Sequence, residues 1–316
     1  MPAPRDTALL VKAARLYYEQ DFSQAEVART LGISRSNVSR ILARAREAGI
    51  VTIRISDPEA APERVRDLEQ VLIERFHLND AIVASDSGEP PIDVVGRSAA
   101  ELIENLDARS FGISWGHTLQ TMVSHMETRG TRQNIDVLPL VGGLSSLDTL
   151  ESGDSLTRAF AARLGARARP LYAPALLESA TAHRAFMGES SIADGLNAAG
   201  KVDVALIGIG SAGEHSSPHL LNGMKLSQQE RAQFQAQQPA GDLCGRFFTV
   251  DGAECGLPTS ERVIAVSFEQ LRSIPNTVGL AAGVKKAPGV LGALNTGLLN
   301  TLVVDVALAQ AVLGLV

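Results

Sequence analysis

Four residues near the N-terminus constrain this chain more than anything else in it. Ala28, Gly32, Val38 and Ile41 stand at intervals of four, six and three. A small residue is needed where two helices cross. A glycine is needed where the chain reverses in the left-handed region. Two branched apolar residues one turn apart are needed where the second helix faces the first. The flanks agree. Ser23 precedes Glu26 by three residues, the arrangement that caps a helix start, and QAEVARTL then runs to Gly32. Ser34 caps the next helix, SRSNVSRILARAREAG, which closes at Gly49. Upstream, residues 8–19 place Leu9, Leu10, Ala13, Leu16 and Tyr17 at helical spacing. Residues 1–56 therefore read as an all-α helix-turn-helix whose last helix enters a DNA major groove. A helical hairpin used only for packing is the alternative.

The exposed face of that last helix carries suitable chemistry. Ser34, Arg35, Ser36 and Asn37 lie in its first turn, with Ser39 and Arg40 one turn on. Arginine can hold guanine O6 and N7 together, and asparagine can do the same for adenine N6 and N7. Arg44 and Arg46 lie further back, where phosphates are the expected contact. VTIRI (51–55) alternates apolar and polar, so a short strand is expected there, with Arg54 reaching the backbone as a wing would. Charge points the same way. The chain carries a net −6, yet residues 1–56 hold nine Lys/Arg against five acids. A basic head on an acidic body marks the head as the polyanion-binding part.

No apolar run approaches the ~18 residues needed to span a bilayer, and MPAPRDTALL lacks the order of a signal peptide. A cytoplasmic protein is expected, with no membrane partner. Cys244 and Cys255 lack CxxC spacing, and the histidines lack paired-ligand spacing. Neither a metal nor a cofactor is expected.

DPEAAPE (57–63) has two prolines and no periodic pattern, so it ends the first domain. In the rest of the 57–76 connector, Val65, Leu68, Leu72 and Phe76 form the apolar stripe of a linker helix. That helix could pack on the body or pair with its copy. Residues 77–316 alternate short apolar runs with amphipathic helices. Strands are expected at 81–84, 110–115, 136–141, 204–210 and 263–268, and helices at 92–106, 117–127, 154–165 and 296–313. This pattern predicts an α/β domain with a mostly parallel sheet, whose ligands bind at the carboxyl ends of the strands. Glycine-bearing segments fall there. GISWGHTL offers Ser114, Gly116 and Thr118 at a helix start, VGG offers Gly142 and Gly143, and GLAAGVKKAPG offers Lys285 and Lys286. Free amides and a lysine ammonium suit a phosphate. GIGSAG (208–213) matches G-x-G-x-x-G literally. The following EHSSPHL, with Pro218, shows no helical pattern, so no dinucleotide site is expected, although the loop could line an effector pocket. Asp251-Gly252 reads as a hairpin turn.

These segments, taken in order, resemble the SorC/DeoR-type family of bacterial sugar-responsive regulators. The likeness rests on SQAEVARTLGISRSNVSRILARAREAGIV, GISWGHTL, LPLVGG, DVALIGIGS, CGRFFTVDG and GLAAGVKKAPGVLGALNTGLLNTLVVD. It implies a winged-type helix-turn-helix joined to an effector domain similar to sugar-phosphate isomerases. It also implies a homo-oligomer, a dimer or tetramer, that binds operator DNA and a small phosphorylated sugar-like effector, and acts as a repressor without catalysis. By motif, Gly116, His117, Thr118, Gly142, Gly143 and Lys286 would hold the phosphate, with Asp251 partnering a hydroxyl. Two positions depart from the family pattern. His117 stands where arginine is common, and Ala282 where glycine is common. Both turn the expectation toward a singly phosphorylated, short-chain or polyol-derived effector, and the likeness extends to regulators of polyol catabolism such as erythritol. The rival expectation is an isomerase-like enzyme with an appended DNA-binding domain, for which Glu189, Asp194 and Asp251 are the candidate bases.

Overall fold

The computed structural model describes residues 4–51, 63–85, 88–128, 130, 134–144, 153–212 and 216–316. Residues 52–55 of the strand expected at 51–55, the wing role of Arg54 and residues 57–62 lie outside the described residues. The chain divides into two compact units, Met1–Asp57 and Pro58–Val316.

In the first unit, α1 (Pro4–Ala14) continues into a π-helical turn, Arg15–Glu19, and is followed by α2 (Gln24–Leu31) and α3 (Arg35–Glu47). The capping box forms as spaced. Glu26 N donates to Ser23 Oγ, and the Glu26 carboxylate accepts from Ser23 N at 2.8 Å. The Ser23 hydroxyl also donates to the Glu26 carboxylate at 2.7 Å, and this bond, with the one from Ser23 N, holds the Glu26 carboxyl below its ordinary pKa. Gly32 sits at φ +67, the left-handed value that ends α2 and releases the chain toward Ser34. Ala28, Val38 and Ile41 are buried with Leu10, Ala13, Val27, Leu42 and Ala45. The helix-turn-helix core is therefore built from the residues whose spacing announced it.

The second unit opens with α4 (Arg66–Phe76), β1 (Asp80–Ala84), α5 (Pro91–Glu104), β2 (Ser110–Ile113) and α6 (His117–His125). It continues through β3 (Asp136–Pro139), α7 (Gly153–Leu164), β4 (Arg167–Ala168), α8 (Ala180–Met187), α9 (Ser190–Ala199) and β5 (Val204–Ser211). α10 (Ser216–Gly223) and α11 (Gln228–Ala236) precede an antiparallel hairpin, β6 (Pro239–Leu243) and β7 (Arg246–Thr249). The unit ends with α12 (Phe268–Ser273), β8 (Asn276–Leu280), α13 (Ala287–Asn295), β9 (Thr301–Asp305) and α14 (Val306–Leu313).

The main sheet is parallel, in the order β1-β9-β8-β5-β2-β3-β4, and β6 adds antiparallel to the end of β5. Successive strand residues feed opposite apolar layers. Leu206 faces one built on Val95, Met122 and Phe160, while Ala205 and Ile207 face another built on Leu72, Leu196 and Val290. This is the two-sided covering that a parallel sheet requires.

Three expectations need correction. Residues 263–268 do not join the sheet. Val263 and Ala265 make only isolated bridges, to Leu176 and Val141, and Phe268 begins α12. The stretch 296–313 is not one helix. Thr301–Asp305 is a fully buried strand between β1 and β8, and α14 starts only at Val306. Apolar residues on every side of TLVVD satisfy a buried strand as well as a helix, and its branched residues favour the strand. GIGSAG is followed by a helix after all, α10, while its first three residues lie in the strand expected at 204–210, which runs on through Ser211. The helix of the 57–76 connector, α4, packs on β1 and α14 of the body, one of the two placements expected for it, and Leu72 is fully buried.

Candidate functional site

β2 and β5 are neighbours from which the chain departs in opposite directions. After β2 it moves outward to β3, and after β5 it returns through the hairpin to β8 on the other side. Such a switch point leaves a crevice at the carboxyl ends of the two strands. A cavity of about 300 Å³ lies there. Trp115, Gly116, His117 and Thr118 follow β2 into it, and Gly208 to Ser211 enter from the end of β5. Ile92, Asp242, Ala282 and Lys286 complete the wall.

Local backbone geometry shapes this wall. Gly116 adopts φ +127 as the N-cap of α6, and no side chain caps that terminus. A helix start of this kind favours an anion through its amides and dipole. Gly208 and Gly210 let β5 run close to its neighbours. A β-carbon on Gly208 would meet the Trp115 carbonyl oxygen at 2.7 Å, and one on Gly210 would collide with the Asp242 carboxylate. Lys286 ends the turn Val284–Lys286, and its Nζ donates to the Ile209 carbonyl at 3.2 Å. Burial lowers the pKa of this ammonium, and the negative charge of Asp242 opposes that shift. Asp242 is itself buried and accepts from Gly245 N at 3.2 Å. The cavity thus presents a helix start, a half-buried cation and a buried carboxylate, a set able to hold an anionic group at one end and hydroxyls at the other.

Of the residues singled out by sequence, Gly116, His117, Thr118 and Lys286 meet at the cavity. Ser114 stands just behind it, with its hydroxyl accepting from Gly208 N at 3.1 Å, so it ties β2 to β5. Gly142 and Gly143 do not reach the cavity wall. Their amides donate to Ile264 O and Ala173 O, each at 2.9 Å, and Gly142 has no side chain because Pro174 backbone fills that space. Asp251 is exposed in the turn after β7, where Gly252 abuts the backbone at Asn295, the far end of α13 from Lys286. Asp242 is the carboxylate the cavity presents among the described residues, and sequence reasoning missed it. Its signal was an acid inside the strand PAGDL, a burial that needs a partner. Glu189 and Asp194 lie at α9, away from the cavity wall.

In the first unit, Ser34, Arg35, Ser36, Asn37, Ser39, Arg40 and Arg44 are all exposed, opposite the buried Val38, Ile41, Leu42 and Ala45. Ser34 caps α3 by accepting from Asn37 N at 3.3 Å and lies 3.1 Å from the Ser36 hydroxyl. Arg46 is likewise exposed.

Comparison with known proteins gives two family matches. Residues 61–314 match the family described as "Putative sugar-binding domain", and residues 14–48 match sigma-70, region 4. The chain is 34% identical over 316 residues to the sorbitol operon regulator of Klebsiella pneumoniae, covering 98% of each chain. It is 29% identical to the deoxyribonucleoside regulator of Bacillus subtilis strain 168, covering 96% of each. The crystal structure of the full-length sorbitol operon regulator SorC from Klebsiella pneumoniae superimposes with a TM-score of 0.71 at 33% identity. That match covers 97% of this chain and 98% of the other.

Proposed function

The chain belongs to the SorC/DeoR-type family of sugar-binding transcriptional regulators, and on that premise we propose that it represses a carbohydrate or polyol catabolic operon until a small phosphorylated sugar-like effector releases it. The observation that carries this reading is the switch-point cavity, where Lys286 and the uncapped start of α6 line one small space. The effector's phosphate sits on the amides of Gly116, His117 and Thr118 and on the Lys286 ammonium. Asp242, rather than Asp251, accepts from its hydroxyls. A volume of about 300 Å³ is at the small end of ligand pockets and suits a single short-chain phosphate ester.

In this reading α3 reads the operator through Arg35, Ser36, Asn37, Ser39 and Arg40, while Ser34 caps the helix and Arg44 holds phosphate. A homo-oligomer presents two such helices to half-sites spaced by whole helical turns, so an effector that alters their spacing ends binding. The test is a thermal-shift screen of sugar and polyol phosphates, followed by operator release with the compounds that stabilise the protein. Ligands that stabilise the wild type and leave Lys286→Ala unmoved support the reading. A panel in which unphosphorylated sugars act as strongly as their phosphates overturns the phosphate assignment.

A further inference from the structure

The lysine turn and the start of the effector unit are tied to opposite sides of one residue pair. Gly283 N donates to Asp305 Oδ2 at 2.7 Å, and Asp305 Oδ1 accepts from Leu308 N at 3.0 Å. Asp305 is only 5% exposed. Gly283 opens the turn at φ +93, and Lys286 N returns to Gly283 O at 3.0 Å. One buried carboxylate therefore holds both the start of α14 and the start of the turn that carries Lys286 into the cavity. Asp305 is also the last residue of β9, in register with Ala84 of β1. Ala84 bridges in turn to Arg64 on its outer side. Val65 N donates to Val83 O at 2.9 Å, and Ser85 N to Glu63 O at 2.7 Å. Residues 63–65 are the first described ones after the stretch that joins the two units.

We propose that Asp305 is a positioning residue that locks the Lys286 turn in register with residues 63–65, so that filling the cavity also shifts the tether of the DNA-binding unit. The proposal rests on the effector reading of the cavity and adds its route of regulation. A ligand that draws in Lys286 pulls on Gly283. Gly283 is bonded to Asp305, and Asp305 cannot follow without moving the end of β9 against β1. The pairing of 63–65 with β1 then changes as well. Each link is a specific hydrogen bond or strand register, which gives the coupling a physical carrier.

Hydrogen exchange on the full chain, wild type against Asp305→Asn, tests this. Asparagine has one acceptor oxygen where aspartate has two, and it is a strong N-cap, so α14 stays capped while the Gly283 bond is lost. Without ligand, the variant is expected to exchange about tenfold faster across 281–286, the scale of one lost bond to a charged acceptor, and faster across 63–66, with α14 unchanged. Unaltered exchange at 63–66 beside a loosened 281–286 overturns the relay. Glu69→Gln probes it from the other end, because Glu69 clamps Arg64 in a two-pronged ion pair. Coupling is reciprocal, so loosening 63–66 must loosen 281–286, and failure to do so also overturns the proposal. Inorganic phosphate is expected to slow both segments in the wild type, but in Asp305→Asn only the segment around Gly116–Thr118. Absence of any phosphate protection in the wild type counts against the effector site itself, while the ligand-free comparison still decides the relay.

Discussion

Gly210 stands against Asp242 with no room for a β-carbon, which would fall inside the carboxylate's van der Waals surface. The strand that ends at the cavity and the acid that lines it are therefore fitted to each other. Gly210→Ala is expected to drive Asp242 out of place and to destabilise the protein by about 1–3 kcal/mol, as overpacking of a filled site does. Thermal unfolding with and without a stabilising effector checks it. An alanine variant with wild-type melting and wild-type binding would show that the fit is immaterial.

Lys286→Ala should abolish effector-dependent release while ligand-free operator binding stays near wild type, since the substitution is remote in sequence from the helix-turn-helix. Lys286→Arg should restore the response only in part, because a planar fork replaces a compact ammonium that now donates to Ile209. Titration of operator release against effector concentration separates the three proteins. Equal midpoints would remove Lys286 from the site.

On the operator, Arg35→Ala and Asn37→Ala should each cost about 1–3 kcal/mol and relax base preference at one or two positions. Arg44→Ala should weaken all sequences alike and lower the salt slope. Binding to a library of operator variants distinguishes the two classes. Intact discrimination in Asn37→Ala would move the reading face elsewhere on α3.

A pH dependence follows from His183 on α8. Its Nε2 is buried without a hydrogen-bond partner among the described residues, and burial, aided by Arg246, holds its pKa below the ordinary imidazole value. Glu261 and a hydrogen bond to the Val263 backbone oppose that shift, and Arg184 adds to it. A folded-state pKa below the unfolded one means stability is full above about pH 6.5 and declines as pH falls toward the folded value. Melting curves between pH 7.5 and 5 should therefore fall more steeply for the wild type than for His183→Gln. Parallel profiles would contradict this.

The helix-turn-helix was legible because its signals are local. Ser23 with Glu26, Gly32 and Ser34 act within a few residues, and the structure uses each of them so. The cavity was legible in part. Gly116, His117, Thr118 and Lys286 lie in loops that follow strands, where this architecture collects ligands. Asp242 was not legible, because its place depends on β6 crossing antiparallel to β5, a pairing set by tertiary structure. Gly142 and Gly143 misled because close approach of the backbone looks the same in sequence whether the neighbour is a ligand or, as here, residues 173–175. β9 was read as helix because a strand buried on both faces has no alternation to betray it.

The pairing of residues 63–65 on β1 also bears on solubility. β1 is the last strand of the main sheet, and its outer backbone groups would otherwise invite a strand from another molecule. Here they are occupied. Val83 O and Ser85 N take up Val65 N and Glu63 O, Val83 N donates to Glu69 Oε1 at 3.0 Å, and Ala81 O accepts from Arg64 Nη2 at 2.9 Å. Two side chains and three residues of extended chain thus stand in for a missing strand. An effector fragment started at Arg66 would bare this border and clump as it is concentrated, whereas one started a few residues earlier would keep its own selvedge and stay in solution.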